Sequence, residues 1–185
     1  MSTDKVIIMV YFLSLALYGM LGIMMRRKYS NLKSVKQEKS FMLFVIPFYL
    51  CVYLSPLEYI LLKPELVMIR IVGGYFIFYL AIITRFISYK TIGNNFSVGI
   101  EVKGDSNLMV NGIYKYIRHP LYFSIFMISV SGTIIFSCLF MWIFVLLTFI
   151  GILIRIKKEE SFLVMHYPEY KQYQQGTKKL IPWIY

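Results

Sequence analysis

Long apolar runs separated by short basic ones dominate the chain. An uncharged run from Val6 to Met25 ends at Arg26-Arg27-Lys28, and about 20 apolar residues of helix suffice to cross a bilayer. A second run, about Phe41 to Leu62, contains Pro47, Pro56 and Glu58; a third extends from Leu66 to about Ile87, with Arg70 and Arg85 near its ends. Prolines are tolerated in membrane helices whose neighbours satisfy the freed carbonyls, so kinks are expected in the second. Arginines near a span's end can snorkel to the interface. The fourth run, Leu121 to Ile154, holds 34 residues. As one helix it would measure about 51 Å, against a hydrocarbon core of about 30 Å. A reversal near Phe136-Ser137-Cys138, giving a helical hairpin with two short arms, is simpler than extreme tilt.

The pattern therefore predicts an all-α integral membrane protein of about five transmembrane helices, the last two a hairpin. The whole of 1–185 reads as one membrane domain, with three spans in 1–87 and the hairpin, a polar loop and a tail in 88–185. Charge supports the count. Six Lys or Arg lie in Arg26–Lys39, five in Arg85–Arg118 and six from Arg155 onwards, leaving Lys5, Lys63 and Arg70 of the 20 elsewhere. Five spans put all three basic segments on one face, which the positive-inside rule makes cytoplasmic, with the amino terminus outside. Four spans would split them.

Composition agrees: 58% of residues are hydrophobic and 16% charged, against roughly 25% charged in soluble domains. The net charge of +11 is accounted for by the cytoplasmic loops, and no basic-aromatic nucleic-acid motif accompanies it. Cys51 and Cys138 sit inside apolar runs without metal-ligand spacing and read as small core residues. No metal site is expected. A signal peptide is a poor reading of the first run, which is too long and lacks a small-x-small cleavage site.

Two motifs flank the hairpin. "YIRHPLY" (116–122) precedes it and "RIKKEESF" (155–162) follows it. A hairpin returns its ends to one face, so Arg118-His119 and Arg155–Glu160 are expected side by side. Pro120 suits the first turn of a helix, where its missing N–H costs nothing. His119 would then flank free helix amides that attract an anion such as a ligand carboxylate. Arg155 and Glu159, four apart, share a helix face and can pair. With Tyr114 and Tyr122 nearby, this set offers cationic, anionic and aromatic partners together. S-adenosyl-L-methionine, with its sulfonium, carboxylate, ammonium and adenine, would use all of them. The chemistry alone does not choose it over a nucleotide, although neither common Gly-rich nucleotide cradle occurs.

The polar segment Tyr89–Arg118, studded with Gly93-Asn94-Asn95, Gly104-Asp105 and Asn111-Gly112, is longer than mere connectors usually are. In the tail Tyr167, Tyr170 and Tyr173 recur at threes, as on a helix face that lies at the interface and can close a pocket.

Three stretches, "VNGIYKYIRHPLY", "RIKKEESFL" and "YPEYKQYQQGTKKLIP", resemble the isoprenylcysteine carboxyl methyltransferase family, membrane enzymes similar to the phospholipid methyltransferases. The resemblance covers about Gly93 to Pro182. It implies that 88–185 is the catalytic region, with a cytoplasmic S-adenosyl-L-methionine pocket formed by loop and tail. It assigns Tyr114, His119, Pro120, Leu121 and Tyr122 to that pocket, Leu108 and Met109 to backbone contacts, and Glu101 to a polar contact. Arg155 would face the acceptor and Glu159 the cofactor, both at the catalytic centre. The acidic run is only Glu159-Glu160, and His166-Tyr167 replaces the usual Phe-Gly, so the register of the acidic motif stays open by one position.

The expected activity is methyl transfer to a membrane-dissolved acceptor, a carboxylate on a lipid, prenylated small molecule or peptide. A phospholipid-amine methyltransferase, a nicotinamide-dependent membrane reductase and a non-catalytic membrane adaptor are the alternatives.

Overall fold

A computed structural model of the protein describes residues 2–29, 39–96 and 108–181. Six α-helices account for most of them: α1 (Thr3–Tyr29), α2 (Lys39–Leu62), α3 (Met68–Ile92), α4 (Pro120–Ile135), α5 (Trp142–His166) and α6 (Tyr170–Gly176). Two short 3-10 turns, Gly93–Asn95 and Gly112–Lys115, lie between α3 and α4. The three N-terminal helices are each long and apolar enough to cross a membrane.

The long fourth run does divide into two helices. Its reversal spans 136–141, where Ser137 takes a positive φ of 52°. Glu58 of α2 reaches across to the turn and accepts hydrogen bonds from the amides of Leu139 (2.6 Å), Phe140 (3.0 Å) and Met141 (3.1 Å). The Met141 amide, at the N-cap of α5, is a donor that a starting helix leaves unsatisfied, and the other two belong to the turn before it. A carboxylate in an apolar span is thus explained by the hairpin it caps. With 16 residues, α4 rises about 24 Å, shorter than the hydrocarbon core.

Packing is close where side chains vanish. A Cβ on Gly151 of α5 would stand 2.6 Å from the Leu43 carbonyl oxygen of α2, and one on Gly74 of α3 would lie 3.1 Å from the Ser131 carbonyl oxygen of α4. Small residues let membrane helices approach in this way, where no hydrophobic gain drives them together. The two pairs, α2 with α5 and α3 with α4, form the body of the fold. Tyr11 of α1 wedges into it, fully buried against Phe78 and Phe136, and donates its hydroxyl to the Val52 carbonyl at 3.0 Å. Cys51 and Cys138 are buried free thiols.

Helices overrun the apolar patterns that predict them. α5 continues twelve residues past Ile154 and α3 five past Ile87, because charged residues are good helix formers once one face stays packed. Arg85 does not snorkel. It is 7% exposed, turned inward over the rings of Tyr18 (4.2 Å) and Tyr89 (5.4 Å).

Candidate active site

At the base of the hairpin the polypeptide before α4 meets the charged end of α5. Pro120 opens α4 and His119 caps it. The first helical amide bond runs from Phe123 N to His119 O at 3.1 Å, so the amides of Leu121 and Tyr122 precede the ladder. The tail folds back here: the amides of Arg118 and His119 donate to the carbonyls of Lys178 (2.8 Å) and Lys179 (3.2 Å).

A cavity opens at this junction, with about 660 Å³ of atom-free space, part of it facing solvent. Tyr114, His119, Pro120, Leu121, Tyr122 and Glu159 all line it. These are six of the residues the motifs select, gathered from two segments distant in sequence. Leu108 and Met109 are half-buried and stand outside the lining. Glu101 lies outside the described residues.

Arg155 stands one layer back, 1% exposed and absent from the lining. Its guanidinium donates to Ser40 Oγ (3.1 Å) and to the Tyr122 hydroxyl (3.3 Å). That hydroxyl in turn donates to Glu159 Oε2 at 2.8 Å. The expected Arg155–Glu159 relation is therefore carried by Tyr122, with the arginine behind and the carboxylate in front.

The two glutamates part company. Glu159 faces the cavity. Glu160 turns to the tail, where its Oε1 accepts from Arg118 Nε (2.7 Å) and His119 Nε2 (3.2 Å), and Oε2 lies 3.7 Å from Lys179 Nζ. Burial by itself would raise its carboxyl, but the hydrogen bonds from His119 and Arg118 and their charge outweigh burial and bring it down to about 2. Burial and then the Glu159 charge hold the Tyr114 phenol well above its ordinary value, so it stays a neutral donor.

Six further lining residues come from the N-terminal helices: Arg26, Phe41, Phe44, Arg85, Tyr89 and Ile92. Sequence reasoning passes over them because no motif links α1, α2 and α3 to the hairpin base. The Nε atoms of Arg26 and Arg85 are buried and have no hydrogen-bond partner among the described residues. Arg85 donates through Nη1 to the Tyr18 hydroxyl at 2.6 Å, so it is held in place with donor capacity to spare. Among the described residues no group of His, Cys, Asp and Glu gathers that could hold a metal.

The cavity adjoins a cleft between α1 and α2, lined from Leu15 to Arg26 on one side and Phe41 to Tyr53 on the other. Arg26, Phe41, Phe44, Arg85 and Ile125 belong to both spaces. The protein is thus of a definite class: a helical membrane protein with a cavity at the base of its hairpin and a cleft between α1 and α2 that shares residues with it.

Comparison with known proteins points to the same family. Residues 74–165, which carry α3 to α5, match the isoprenylcysteine carboxyl methyltransferase (ICMT) family, and the resemblance read from the motifs holds. The chain is 36% identical over 107 residues to a protein-S-isoprenylcysteine O-methyltransferase of Dictyostelium discoideum, covering 56% of this chain and 45% of that one. It is 32% identical to the protein of the same name from Saccharomyces cerevisiae, covering 55% and 44%. These matches span under half of either relative. The solved eukaryotic intramembrane Ras methyltransferase ICMT shares the fold, with a TM-score of 0.71 over 98% of this chain and 68% of that one at 22% identity.

Proposed function

We propose that the protein is an S-adenosyl-L-methionine-dependent methyltransferase acting on the carboxylate of a membrane-dissolved, prenyl-type acceptor. The observation that carries this reading is a cavity and a cleft that share a wall. The cavity offers an anion, aromatic rings and a helix N-terminus, the cleft between α1 and α2 is lined largely by aliphatic and aromatic side chains, and two arginines whose Nε atoms have no hydrogen-bond partner among the described residues belong to both. The names of the two curated relatives favour the same chemistry.

The donor set suits the cofactor. Glu159 would engage its cationic or hydroxyl groups, the rings of Tyr114 and Tyr89 its adenine or sulfonium face, and His119 with the first amides of α4 its carboxylate. When bound, the cofactor supplies an electrophilic methyl group.

The chain's own residues then have little chemistry to perform. An α-carboxylate has a pKa of about 3.5 and is already ionised, so no general base is required. Positioning suffices. Arg85 and Arg26 would hold the acceptor carboxylate where cleft and cavity meet, and the cleft would seat its apolar chain. Arg155 acts on both through the Tyr122 hydroxyl, which it orients towards Glu159. Burial of this group excludes water and keeps the acceptor oxygen nucleophilic.

The membrane arrangement belongs to the proposal. α4 and the apolar part of α5 add two spans to the three N-terminal ones, placing the cavity and carboxyl terminus on the cytoplasmic side and the amino terminus outside. A reporter fused after Tyr185 should read cytoplasmic and one at Lys63 external.

A parallel assay tests the acceptor, offering a prenylated cysteine analogue and a phosphatidylethanolamine with radiolabelled methyl donor. Base-labile label on the first, at a rate flat above about pH 5, is expected for a methyl ester formed without proton removal. Base-stable label on the second, with a rate rising through neutral pH, would instead make Glu159 the base of an amine methylase. Calorimetric binding of S-adenosylhomocysteine, compared with reduced nicotinamide cofactor, separates either methyltransferase from a reductase or an adaptor.

A further inference from the structure

Successive residues on a helix point about 100° apart, which is why Glu159 and Glu160 face different things. Glu160 does not line the cavity. Both its oxygens are nonetheless engaged by residues of the wall and of the tail. Arg118, which does line the cavity, is the link: its Nη1 donates to the Gln174 carbonyl (3.1 Å), the Thr177 carbonyl and Thr177 Oγ1 (3.2 Å). Lys178 N donates back to the Tyr116 carbonyl at 3.1 Å, and the Tyr173 hydroxyl donates to the Tyr114 carbonyl at 2.6 Å. Leu180 ends this strap fully buried, in the cluster of Phe44, Ile152 and Ile156.

These hydrogen bonds of the tail thus land on 114–119, the segment that supplies Tyr114, Arg118 and His119 to the cavity. We infer that Glu160 is a positioning residue: it holds His119 and Arg118, and through Arg118 the 173–180 strap, so that the cavity wall is set before the cofactor arrives. An ionised carboxylate only accepts, so His119 Nε2 carries the hydrogen it shares with Glu160. Its Nδ1 is thereby left as the ring nitrogen able to meet a ligand. The inference rests on the cofactor reading proposed above and gives the second glutamate a separate duty within the same site. Preorganisation of this kind lowers the cost of binding and leaves the chemical step alone.

The test uses the full chain in detergent and compares wild type, Glu160→Gln, Glu160→Asp and Tyr173→Phe. Three quantities are followed: S-adenosylhomocysteine affinity by calorimetry, initial rates against methyl-donor concentration, and amide exchange. In Glu160→Gln one basic partner must lose its acceptor, so Kd and the donor KM should rise together by about tenfold or more, with kcat within about threefold. Exchange should quicken at Arg118, His119 and Lys178 in the same variant. Glu160→Asp should recover part of the affinity, and Tyr173→Phe should raise Kd by a smaller factor, about threefold. Unchanged Kd in Glu160→Gln, with faster exchange or lower thermal stability, would make the knot merely structural and overturn the inference. If Glu160→Gln does not fold, unchanged Kd in Tyr173→Phe does the same. Failure of the wild type to bind S-adenosylhomocysteine would strike the cofactor reading itself, before any variant is compared.

Discussion

The two ends of the α4–α5 hairpin each place carboxylates beside helix termini, yet they serve opposite purposes. At the turn, Glu58 gives its two oxygens to three backbone amides and lies beside apolar side chains such as Leu54, Leu57 and Phe140. At the base, Glu160 is likewise filled by three basic groups. Glu159, its neighbour, accepts only from Tyr122 among the described residues and faces the cavity. A carboxylate offers about four lone-pair sites. Where the fold occupies them the group is structural, and where it leaves them open in a cavity the group is available for a ligand. Spare hydrogen-bonding capacity, more than charge or burial, separates the two ends.

Breaking the turn should have the largest effect. Glu58→Ala strands three amides, each costing about 1–3 kcal/mol when unpaired. Unfolding in detergent should show a loss of about 3 kcal/mol or more, while the folded fraction keeps its affinity for S-adenosylhomocysteine. A stable Glu58→Ala protein with impaired binding would reverse the assignment of the two ends.

Glu159→Gln should do the opposite. It keeps the shape but removes the free charge, and a lost charge-assisted contact is worth about 1.5–3 kcal/mol, or roughly tenfold to a hundredfold in Kd. Thermal stability should move little. Equal Kd for Glu159→Gln and wild type would mean that the open carboxylate is not a ligand group.

Tyr122→Phe sharpens the same contrast, because its hydroxyl joins Arg155 to Glu159 without being either. Loss of one hydrogen-bonded link should lower kcat/KM by about tenfold, or about 1.4 kcal/mol. Steady-state kinetics with saturating acceptor reads this directly.

Acid provides the gentlest probe. The Glu160 carboxyl sits at about 2 in the folded protein, below its value of about 4.3 in an unfolded chain. Its contribution to docking the strap is therefore complete above about pH 5 and is lost as pH falls through 4 towards 2. Limited digestion by pepsin, which is active at these pH values and cuts beside aromatic and leucine residues, should accelerate near Tyr173 and Leu180 over that window in wild type and be less pH-sensitive in Glu160→Gln.

Much of this was legible in the sequence. Apolar run length located the helices, and the mismatch between 34 residues and one bilayer predicted the hairpin, because helix rise is a local property independent of tertiary contacts. The hairpin then made Arg118-His119 and Glu159-Glu160 neighbours by geometry alone. Three things were not legible. The division of duty between Glu159 and Glu160 turns on about 100° of helix rotation relative to the tail, and the motif matches equally well in either register. Arg85 looked like a snorkelling arginine because its position in the span says nothing of Tyr18 and Tyr89, which draw it inward. The cleft between α1 and α2 depends on where two helices part, with Tyr11 tying α1 to Val52 at one end while Arg26 and Arg85 border the cavity at the other. Sequence sets which residues are apolar, charged or helix-breaking. Only tertiary packing decides which polar atoms are used up by their neighbours and which are left facing a space.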